Sequence, residues 1–402
     1  MNKIYKTAII GGGASGVACA VELLSDSDGI SCRDFVLLEG NDRLLKKLSA
    51  SGNGQGNVTN AHVSEENYSG NKEFVSAFIT HLKDRPLEKF FKNLRIPTVT
   101  AENGRVYPAS MQANAVTDVL RFFLAGKNAD IRLNARVKGV KAENGLFVME
   151  TVNGEKFFAE NAVFSCGGKA GKQFGTDGAC YDILKGFGHT VTPLIPSLVQ
   201  LKAEKSAIKG LNGVKERAKL SLYDGDKFVK SATGDILFTE YGVSGNAVFQ
   251  ISDKAVCAAK PVIRAEFLPE TKREDIAAEI RARISAGYFA DEELLTGLIN
   301  KKLGQAIIRA FGASPTGIAD KVKDFVIPVT GSLGFDYAQV TKGGVRTDEI
   351  DPYTFGSKLK KGLYITGETL DIDGECGGYN LTFAFVSGII AAKDLKSKFG
   401  KI

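Results

Sequence analysis

The first forty residues show three hydrophobic patterns in direct succession. An almost continuous apolar run over residues 4–10 predicts a buried strand, and it stops at the glycine-rich stretch 11–16. Apolar residues then recur at helical spacing from Val17 to Leu24, and a second apolar run covers residues 34–38. This order predicts a strand, a tight turn, a helix and a second strand.

Later patterns divide the rest of the chain into segments. Residues 72–94 and 112–126 have helical spacing, and β-type runs over 136–141, 146–152 and 156–166 follow. Asn144-Gly145 and Asn153-Gly154 join these runs and predict a meander, because Asn-Gly is the preferred two-residue hairpin turn. Short β-type runs from about residue 193 predict a sheet-rich second domain, with a helical subdomain over 272–320. A buried strand and a long apolar helix at the C-terminus return to the first domain.

The glycines of the first turn have the spacing G-x-G-x-x-G, which is typical of dinucleotide binding. Gly11 allows the sharp turn, Gly13 allows close approach to a pyrophosphate, and Gly16 lets the helix pack on the strand. Glu39 ends the second strand, where a carboxylate would accept a hydrogen bond from a ribose hydroxyl. No second fingerprint of this kind occurs in the sequence, so a dedicated nicotinamide domain is not expected.

A second glycine-preceded helix start occurs near the C-terminus. The run 362–368 predicts a strand ending in Gly367-Glu368, and residues 374–380 open the last helix. Two helix N-termini suit a long cofactor such as FAD, one at the pyrophosphate and one at the pyrimidine edge of the flavin. The polar, glycine-rich segment 46–60 predicts a loop along that ligand, with a floppy linker as the alternative.

Composition narrows the possible functions. The net charge of +6 comes from dispersed lysines without a basic block, so nucleic-acid binding has little support. The six cysteines form no C-x-x-C pair and the three histidines are scattered, which argues against a metal site. The N-terminus could be misread as an export signal, but its glycines fit the nucleotide-binding turn better. A cytoplasmic protein without a membrane span is expected.

These motifs together resemble the BaiN/YhiN-type bacterial FAD-dependent oxidoreductases, a family that includes bile-acid dienone reductases and an aminoacetone oxidase. The resemblance covers nearly the whole chain. It is carried by six segments, which are 11–16 with Glu39, 47–60, 104–108, 166–189, 237–245 and 338–392.

The resemblance implies an α/β fold in which a discontinuous Rossmann-like FAD domain (1–192 and 338–402) receives two insertions. These are a β-barrel-like substrate domain (193–255 and 321–337) and a helical subdomain (256–320), which would cover the flavin. It places Ala14 and Ser15 at the pyrophosphate, Glu39 at the ribose, Val137 at the adenine and Glu368 at the ribityl chain. The further cofactor residues expected are Lys46, Lys47, Gly54, Asn57, Gly167, Gly367, Gly378, Asn380 and Leu381.

The chain departs from the family pattern at four positions. Gln55 and Gly56 stand where the family commonly has Arg and Cys in a Gly-Arg-Cys-Asn loop, and Cys166 and Cys376 stand where threonine is usual. The loop changes fall where the reactive face of the flavin is expected. They leave FAD binding intact and put the family's substrate in doubt.

Three residues are candidates for catalysis, each with a structural alternative. Tyr107 and Tyr379 could donate a proton to the substrate, or be packed aromatics. Arg105 could bind a carboxylate ligand, or form an internal salt bridge. Cys376 could have a lowered thiol pKa at the flavin-facing helix, or simply pack, and His189 is expected to cap a helix end.

The sequence therefore predicts an FAD-dependent oxidoreductase. The favoured reaction is NAD(P)H-driven reduction of an activated C=C bond in a steroid or bile-acid-like enone. One alternative is an amine oxidase that passes electrons to O₂ and releases hydrogen peroxide. Another, of a different class, is an RNA-associated flavin- or nucleotide-binding protein.

Overall fold

The computed structural model describes residues 3–25 and 31–399. The chain forms two compact units, one from Met1–Leu194 with Val340–Ile402 and one from Ile195–Gln339. The strands are β1 (Ile4–Ile10), β2 (Phe35–Leu38), β3 (Thr59–Asn60), β4 (Tyr68–Gly70), β5 (Thr98–Thr100), β6 (Arg105–Pro108), β7 (Ile131–Arg132), β8 (Val137–Glu143), β9 (Leu146–Thr151), β10 (Lys156–Phe164), β11 (Ile195–Ser197), β12 (Leu201–Ala203), β13 (Lys215–Asp224), β14 (Lys227–Phe238), β15 (Gly242–Ser244), β16 (Pro261–Phe267), β17 (Phe325–Ser332), β18 (Val340–Lys342), β19 (Leu363–Ile365) and β20 (Ile372–Gly374). The helices are α1 (Ala14–Ser25), α2 (Lys46–Ser49), α3 (Lys72–Leu82), α4 (Pro86–Asn93), α5 (Ala113–Gly126), α6 (Cys180–Gly186), α7 (Asn246–Cys257), α8 (Arg273–Ala286), α9 (Lys301–Phe311), α10 (Pro315–Lys323) and α11 (Tyr379–Phe399).

The first unit is built on a seven-stranded mixed sheet in the order β7-β2-β1-β10-β9-β8, with β19 also paired to β10. The strands β7, β2, β1, β10 and β19 run parallel, and β8, β9 and β10 form the predicted antiparallel meander. Asn144 and Gly145 both have positive φ and close the first hairpin in two residues. At the second, only Gly154 has positive φ, and the Thr151 N–H donates to the Glu155 carbonyl to close a longer turn.

Helices α1 and α11 pack on one another within this unit. A Cβ on Gly388 would lie 2.1 Å from the Ser15 carbonyl oxygen, so the absence of a side chain there permits close packing. Leu363, Tyr364 and Ile365 of β19 are buried in the same hydrophobic core. The C-terminal segment is therefore part of the first unit.

The second unit contains a closed barrel in the order β12-β15-β14-β13-β16-β17. Pro261–Phe267, within the segment 256–320 expected to be helical, forms a full barrel strand between β13 and β17. Ile276 and Leu303 of the helices share one hydrophobic core with Leu220 of the barrel. The fold is therefore α/β, with a Rossmann-like domain and an inserted barrel unit.

Candidate flavin-binding and catalytic site

Of the three fingerprint glycines in the turn between β1 and α1, two fill tight positions and one faces open space. A Cβ on Gly11 would lie 2.4 Å from the Ser165 carbonyl oxygen, and one on Gly16 would lie 2.0 Å from the Gly11 carbonyl oxygen. A Cβ on Gly13 would meet no atom within 4 Å. The N–H of Val17 makes the helical bond to Gly13, so the amides of residues 13–16 are available to an anion at the helix start.

Glu39 is held rigidly beside this turn. It is 8% exposed, and its Oε2 accepts the Gly12 N–H at 2.7 Å. Its Oε1 accepts the Asn41 backbone N–H at 2.7 Å and the Asn41 side-chain amide at 2.6 Å. A carboxylate has about four acceptor positions, so one remains for the predicted ribose hydroxyl.

The start of α11 is the second helix N-terminus predicted for the cofactor. Gly378 has φ +98, and a Cβ there would lie 2.4 Å from the Thr59 carbonyl oxygen. The N–H of Thr382 donates to Gly378, so the amides of Asn380 and Leu381 precede the hydrogen-bonded turns of the helix. The Asn380 side chain donates to the Gly374 carbonyl at 2.7 Å and accepts the Gly374 N–H at 2.8 Å, which fixes the backbone before the helix.

The segment 46–60 is more structured than the predicted loop. It contains α2, a 3₁₀ turn over Ser51–Gly54 and strand β3, because Leu48 and Val58 are buried in the core and anchor it. Gly56, one of the departures from the family pattern, has φ +77, and a Cβ there would lie 2.8 Å from the Ala113 Cα. The position is therefore close-packed and suits glycine. Gln55 is exposed.

The same segment contributes two buried polar atoms that form no hydrogen bond with any group among the described residues. They are the Ser51 hydroxyl and the Asn57 Oδ1. The Asn57 Oδ1 lies 2.9 Å from the Cβ position of Gly378, and so beside the start of α11, whereas Gly54 has open space around it. Because buried polar groups are almost always hydrogen-bonded, these atoms fit a cofactor with polar edges.

Lys46, Lys47 and Glu368 are placed by ion pairs. The Lys46 Nζ lies 2.6 Å from the Asp42 carboxylate. The Lys47 Nζ lies 2.6 Å from the Glu368 Oε2 and 3.2 Å from the Ala170 carbonyl oxygen. The Glu368 Oε1 also accepts the Thr341 N–H at 2.8 Å. The structure thus brings together Lys47 and Glu368, which the sequence separates by 321 positions.

The remaining predicted cofactor residues lie in the same unit. Gly367 donates its N–H to the Ser387 hydroxyl, and a Cβ there would lie 3.0 Å from the Ser15 Cβ, next to the first helix start. Gly167 follows the end of β10 with φ +75. Val137 begins β8 and is half-buried.

The candidate catalytic residues Arg105 and Tyr379 lie close together at the start of α11. The Arg105 Nη2 lies 3.9 Å from the Cys376 sulfur, and the Arg105 charge acts on both Cys376 and Tyr379. Within residues 3–25 and 31–399 no carboxylate forms an ion pair with Arg105, so the expected internal salt bridge is absent. Burial raises the pKa of the Cys376 thiol, rather than lowering it, and also raises the pKa of Tyr379.

Short-range contacts between β3, β6 and α11 build this cluster. Strand β3 pairs with β6 through Asn60 and Arg105, the Asn60 side chain donates to the Gly377 carbonyl at 3.1 Å, and the Thr59 and Thr382 hydroxyls lie 2.7 Å apart. Tyr107 is two residues from Arg105 on β6 and is buried. Sequence reasoning missed the Arg105–Cys376 contact, because nothing local links positions 271 residues apart.

The His189 backbone N–H donates to the Leu184 carbonyl in the last turn of α6 at 3.2 Å, as expected of a helix-end cap, and its side chain makes further contacts. Its side chain is fully buried, with Nδ1 2.8 Å from the Glu349 carboxylate and Nε2 2.8 Å from the Ser357 hydroxyl. Burial alone would raise the pKa of Glu349, but hydrogen bonds from Thr190 and His189 outweigh it and lower the pKa. His189 therefore connects the end of α6 to the segment before β19.

The described residues contain neither a candidate membrane-spanning helix nor a cluster of metal-ligating side chains. No helix among them is long and apolar enough to span a bilayer. Their histidines, cysteines and carboxylates form no group of three placed to hold a metal ion. The glycine turn, the orphaned polar atoms and the two helix starts instead fit FAD.

Comparisons with known proteins agree with the Rossmann-like fold and with a flavin-dependent enzyme. The chain is 35% identical over 411 residues to a 3-dehydro-bile acid delta(4,6)-reductase from Clostridium scindens, covering 98% of both chains. It is 27% identical over 411 residues to a ribosomal RNA dihydrouridine synthase from Haemophilus influenzae, again covering 98% of both. A 3-ketosteroid delta1-dehydrogenase structure from Sterolibacterium denitrificans has a similar fold, with a TM-score of 0.52, 12% identity and coverage of 98% and 100%. The family model described as the HI0933-like protein Rossmann domain matches residues 5–394, and the chain belongs to this family, the BaiN/YhiN type.

Proposed function

We propose that this protein is an FAD-dependent oxidoreductase that reduces a C=C bond conjugated to a carbonyl, in a steroid or bile-acid-like enone. The observation that carries the proposal is the Arg105 guanidinium, which has no carboxylate partner among the described residues and lies beside Tyr379 at the start of α11. Bound FAD would supply the hydride from its N5 atom to the β-carbon of the substrate. The protein's own groups would bind the substrate oxygen and supply a proton.

Arg105 is the residue that we assign to the carbonyl oxygen. Negative charge develops on that oxygen as the conjugated bond is reduced, and a fixed cation stabilises it more than the neutral ground state. No carboxylate forms an ion pair with Arg105 in the described part of the chain, although the Glu375 carboxylate acts on the same two groups, Cys376 and Tyr379. We infer that the guanidinium can still bind a ligand. The same group would bind a substrate carboxylate, so the two roles need separate substrates to distinguish them.

Tyr379 is the residue that we assign to protonation of the α-carbon. Its hydroxyl makes no hydrogen bond to a described protein group, and burial raises its pKa, so it keeps its proton at neutral pH. Tyr107 is the second candidate, because residues two apart on a strand share one face and Arg105 is on that face. The unit Ile195–Gln339 is the proposed substrate domain.

Two of the named relatives support the reduction of a conjugated C=C bond. A bile acid delta(4,6)-reductase acts on a steroid nucleus, and dihydrouridine differs from uridine by reduction of a C=C bond conjugated to a carbonyl. The higher identity to the bile acid enzyme and the dispersed lysines favour a small steroid-like substrate over RNA. Reduction of uridine in ribosomal RNA is the second candidate.

The first test is an anaerobic titration of the FAD-loaded protein with NADH and NADPH, followed through the flavin absorbance. We expect bleaching by one of them, then recovery of the oxidised spectrum with a 4-ene- or 4,6-diene-3-one steroid and formation of the saturated product. Recovery with unmodified ribosomal RNA instead, with new dihydrouridine, would select the second candidate. A flavin that bleaches with aminoacetone and releases hydrogen peroxide in air would replace both with an amine oxidase.

A further inference from the structure

Two cysteines lie behind the dinucleotide-binding turn. Cys166 follows β10, and its thiol donates to the Ile10 carbonyl with a sulfur–oxygen distance of 3.4 Å. Its Cα lies 3.1 Å from the Cβ position of Gly11, the first glycine of the turn. Cys166 is half-buried, so a small molecule can reach it more readily than a core cysteine.

Cys180 is the first residue of α6 and is buried. Its thiol donates to the carbonyl of Gly167, the residue that follows Cys166, at 3.9 Å. The neighbouring Cys166 thiol and burial both raise the pKa of the Cys180 thiol. Cys166 is therefore the more reactive of the two, and Cys180 lies where it can react with an oxidised Cys166.

We propose that Cys166 and Cys180 form a reversible disulfide, which makes this pair an oxidation site at the base of the nucleotide-binding turn. A hydroperoxide is the oxidant class. The Cys166 sulfur attacks a peroxide oxygen, the O–O bond breaks, and water leaves with a sulfenic acid formed on Cys166. The Cys180 sulfur then displaces the hydroxyl from that sulfur as a second water. Two thiols and one hydrogen peroxide thus give one disulfide and two waters, and both thiol protons end in water.

The structure accepts this bond without leaving a buried acceptor unsatisfied. Each carbonyl that loses a thiol donor keeps another, since the Ile10 carbonyl also accepts the Ser165 N–H at 2.8 Å. The Gly167 carbonyl also accepts the Thr369 hydroxyl at 3.2 Å. The usual cost of an unpaired buried polar group therefore does not oppose oxidation.

The disulfide would close a ring around a segment that supports the cofactor residues. Between the two cysteines, the Lys169 and Ala170 amides donate to the Thr341 hydroxyl, and the Ala170 carbonyl accepts from Lys47. Lys47 is paired with Glu368, the residue expected near the ribityl chain. Oxidation of the pair would thus constrain the segment that positions this ion pair. This inference does not depend on the proposed substrate.

Peptide mapping tests the proposal directly. Cleavage after lysine places Cys166 in the peptide 157–169 and Cys180 in the peptide 173–185, and each peptide has a single cysteine. The FAD-loaded protein is treated with hydrogen peroxide, alkylated while denatured and digested without reductant. We expect a cross-linked pair of these two peptides, whose mass is two hydrogen atoms below their sum, and its loss after dithiothreitol treatment. Separate alkylated or sulfinic forms of the two peptides, without the cross-link, would overturn the proposal.

Matched variants check the pairing. C257S removes an exposed cysteine of the other unit and should leave the cross-link intact. C166S and C180S should each abolish it and leave the remaining thiol of the pair open to alkylation or further oxidation. If the peptide containing Cys166 instead links to that of Cys32 or Cys376 in the unmodified chain, the assigned pairing is wrong.

Discussion

Arg105 forms no ion pair with a carboxylate among the described residues, and its only side-chain hydrogen bond there is a long one to the Cys376 sulfur. If it binds the substrate carbonyl, R105A should lower kcat/KM for the enone by about 10²–10³, the usual cost of losing one oxyanion donor. R105K should recover only part of this, because lysine cannot donate in the same planar arrangement. Stopped-flow reoxidation of the reduced flavin measures the step, with the NAD(P)H-driven bleaching rate as the control. If R105A slowed flavin reduction by NAD(P)H as much as flavin reoxidation by the enone, Arg105 would have a structural role instead.

Tyr379 gives a prediction that depends on pH. Because burial raises its pKa above the ordinary value of about 10, the hydroxyl stays protonated through neutral pH and loses its proton only in strong alkali. The substrate-dependent reoxidation rate should therefore be flat between about pH 6 and about pH 9 and fall above that range. Y379F should slow this half-reaction by about 10²–10⁴ at every pH in the range. Y107F is the matched control, and the opposite ranking of the two variants would assign the proton to Tyr107.

At the scale of single residues, the sequence predicted backbone roles better than side-chain partners. Gly11, Gly16 and Gly378 lie in close contacts because a G-x-G-x-x-G turn or a helix start imposes a local backbone requirement. The partners of Arg105 and His189 could not be predicted, since they come from residues 271 and 160 positions away. Of the two roles expected for Cys376, the raised thiol pKa favours the packed one, because burial outweighs the nearby positive charge.

Helices α1 and α11 meet at Gly388, and this contact can be tested independently of enzymatic activity. G388A should lower the free energy of unfolding by about 1–3 kcal/mol, because the added methyl would overlap the Ser15 carbonyl oxygen. Since Ser15 is in the turn expected to hold the pyrophosphate, FAD affinity should fall as well. G126A is the matched control, as a Cβ at that helical position meets no atom within 4 Å. Denaturant unfolding of the two variants measures the difference, and equal stabilities would show that the helices move apart freely.

The Lys47–Glu368 pair connects α2 to the turn after β19 and is partly buried. E368Q leaves the Lys47 ammonium without its counter-charge, and K47M leaves the Glu368 carboxylate without its counter-charge. Each variant should therefore lower the free energy of unfolding by about 1–3 kcal/mol. The double variant should be less destabilised than the sum, by about 0.5–3 kcal/mol, because the two residues interact directly. Thermal or denaturant unfolding of the four proteins gives this coupling. Strict additivity would mean that the ion pair contributes nothing to stability.

At the scale of elements, the hydrophobic period identified most helices and strands and failed where tertiary contacts decide the structure. The meander β8–β9–β10 follows alternation and Asn-Gly turns, although only the first turn has two residues. The segment 46–60 contains short helices despite its polar composition, because a few buried residues such as Leu48 anchor it. Strand β16 was not predicted, because it lies in a segment dominated by helical spacing. The strands that pair with it on both sides come from distant positions in the sequence.

For the molecule as a whole, the return of the C-terminus to the first domain was predictable, since a buried strand and an apolar helix there need a sheet to pack on. The resemblance to the family correctly implied a β-barrel-like domain. The strand pattern alone does not reveal the closure, because it depends on β12 pairing with β17, far away in sequence. Ile276 and Leu303 then share one core with the barrel, which spacing within a helix does not reveal.

Substitutions at Gly13 and Gly16 separate cofactor binding from folding. G16A should destabilise the protein with or without FAD, because its methyl would lie 2.0 Å from the Gly11 carbonyl oxygen. G13A should leave the FAD-free protein as stable as the unchanged chain, because a Cβ there meets nothing within 4 Å. FAD at about 100 times its Kd should stabilise the unchanged protein by about 2.7 kcal/mol. In G13A this gain should largely disappear, because the methyl occupies the space through which the backbone approaches the pyrophosphate. Thermal unfolding with and without added FAD measures all three proteins, and a full FAD-induced gain in G13A would place the pyrophosphate elsewhere than beside Gly13.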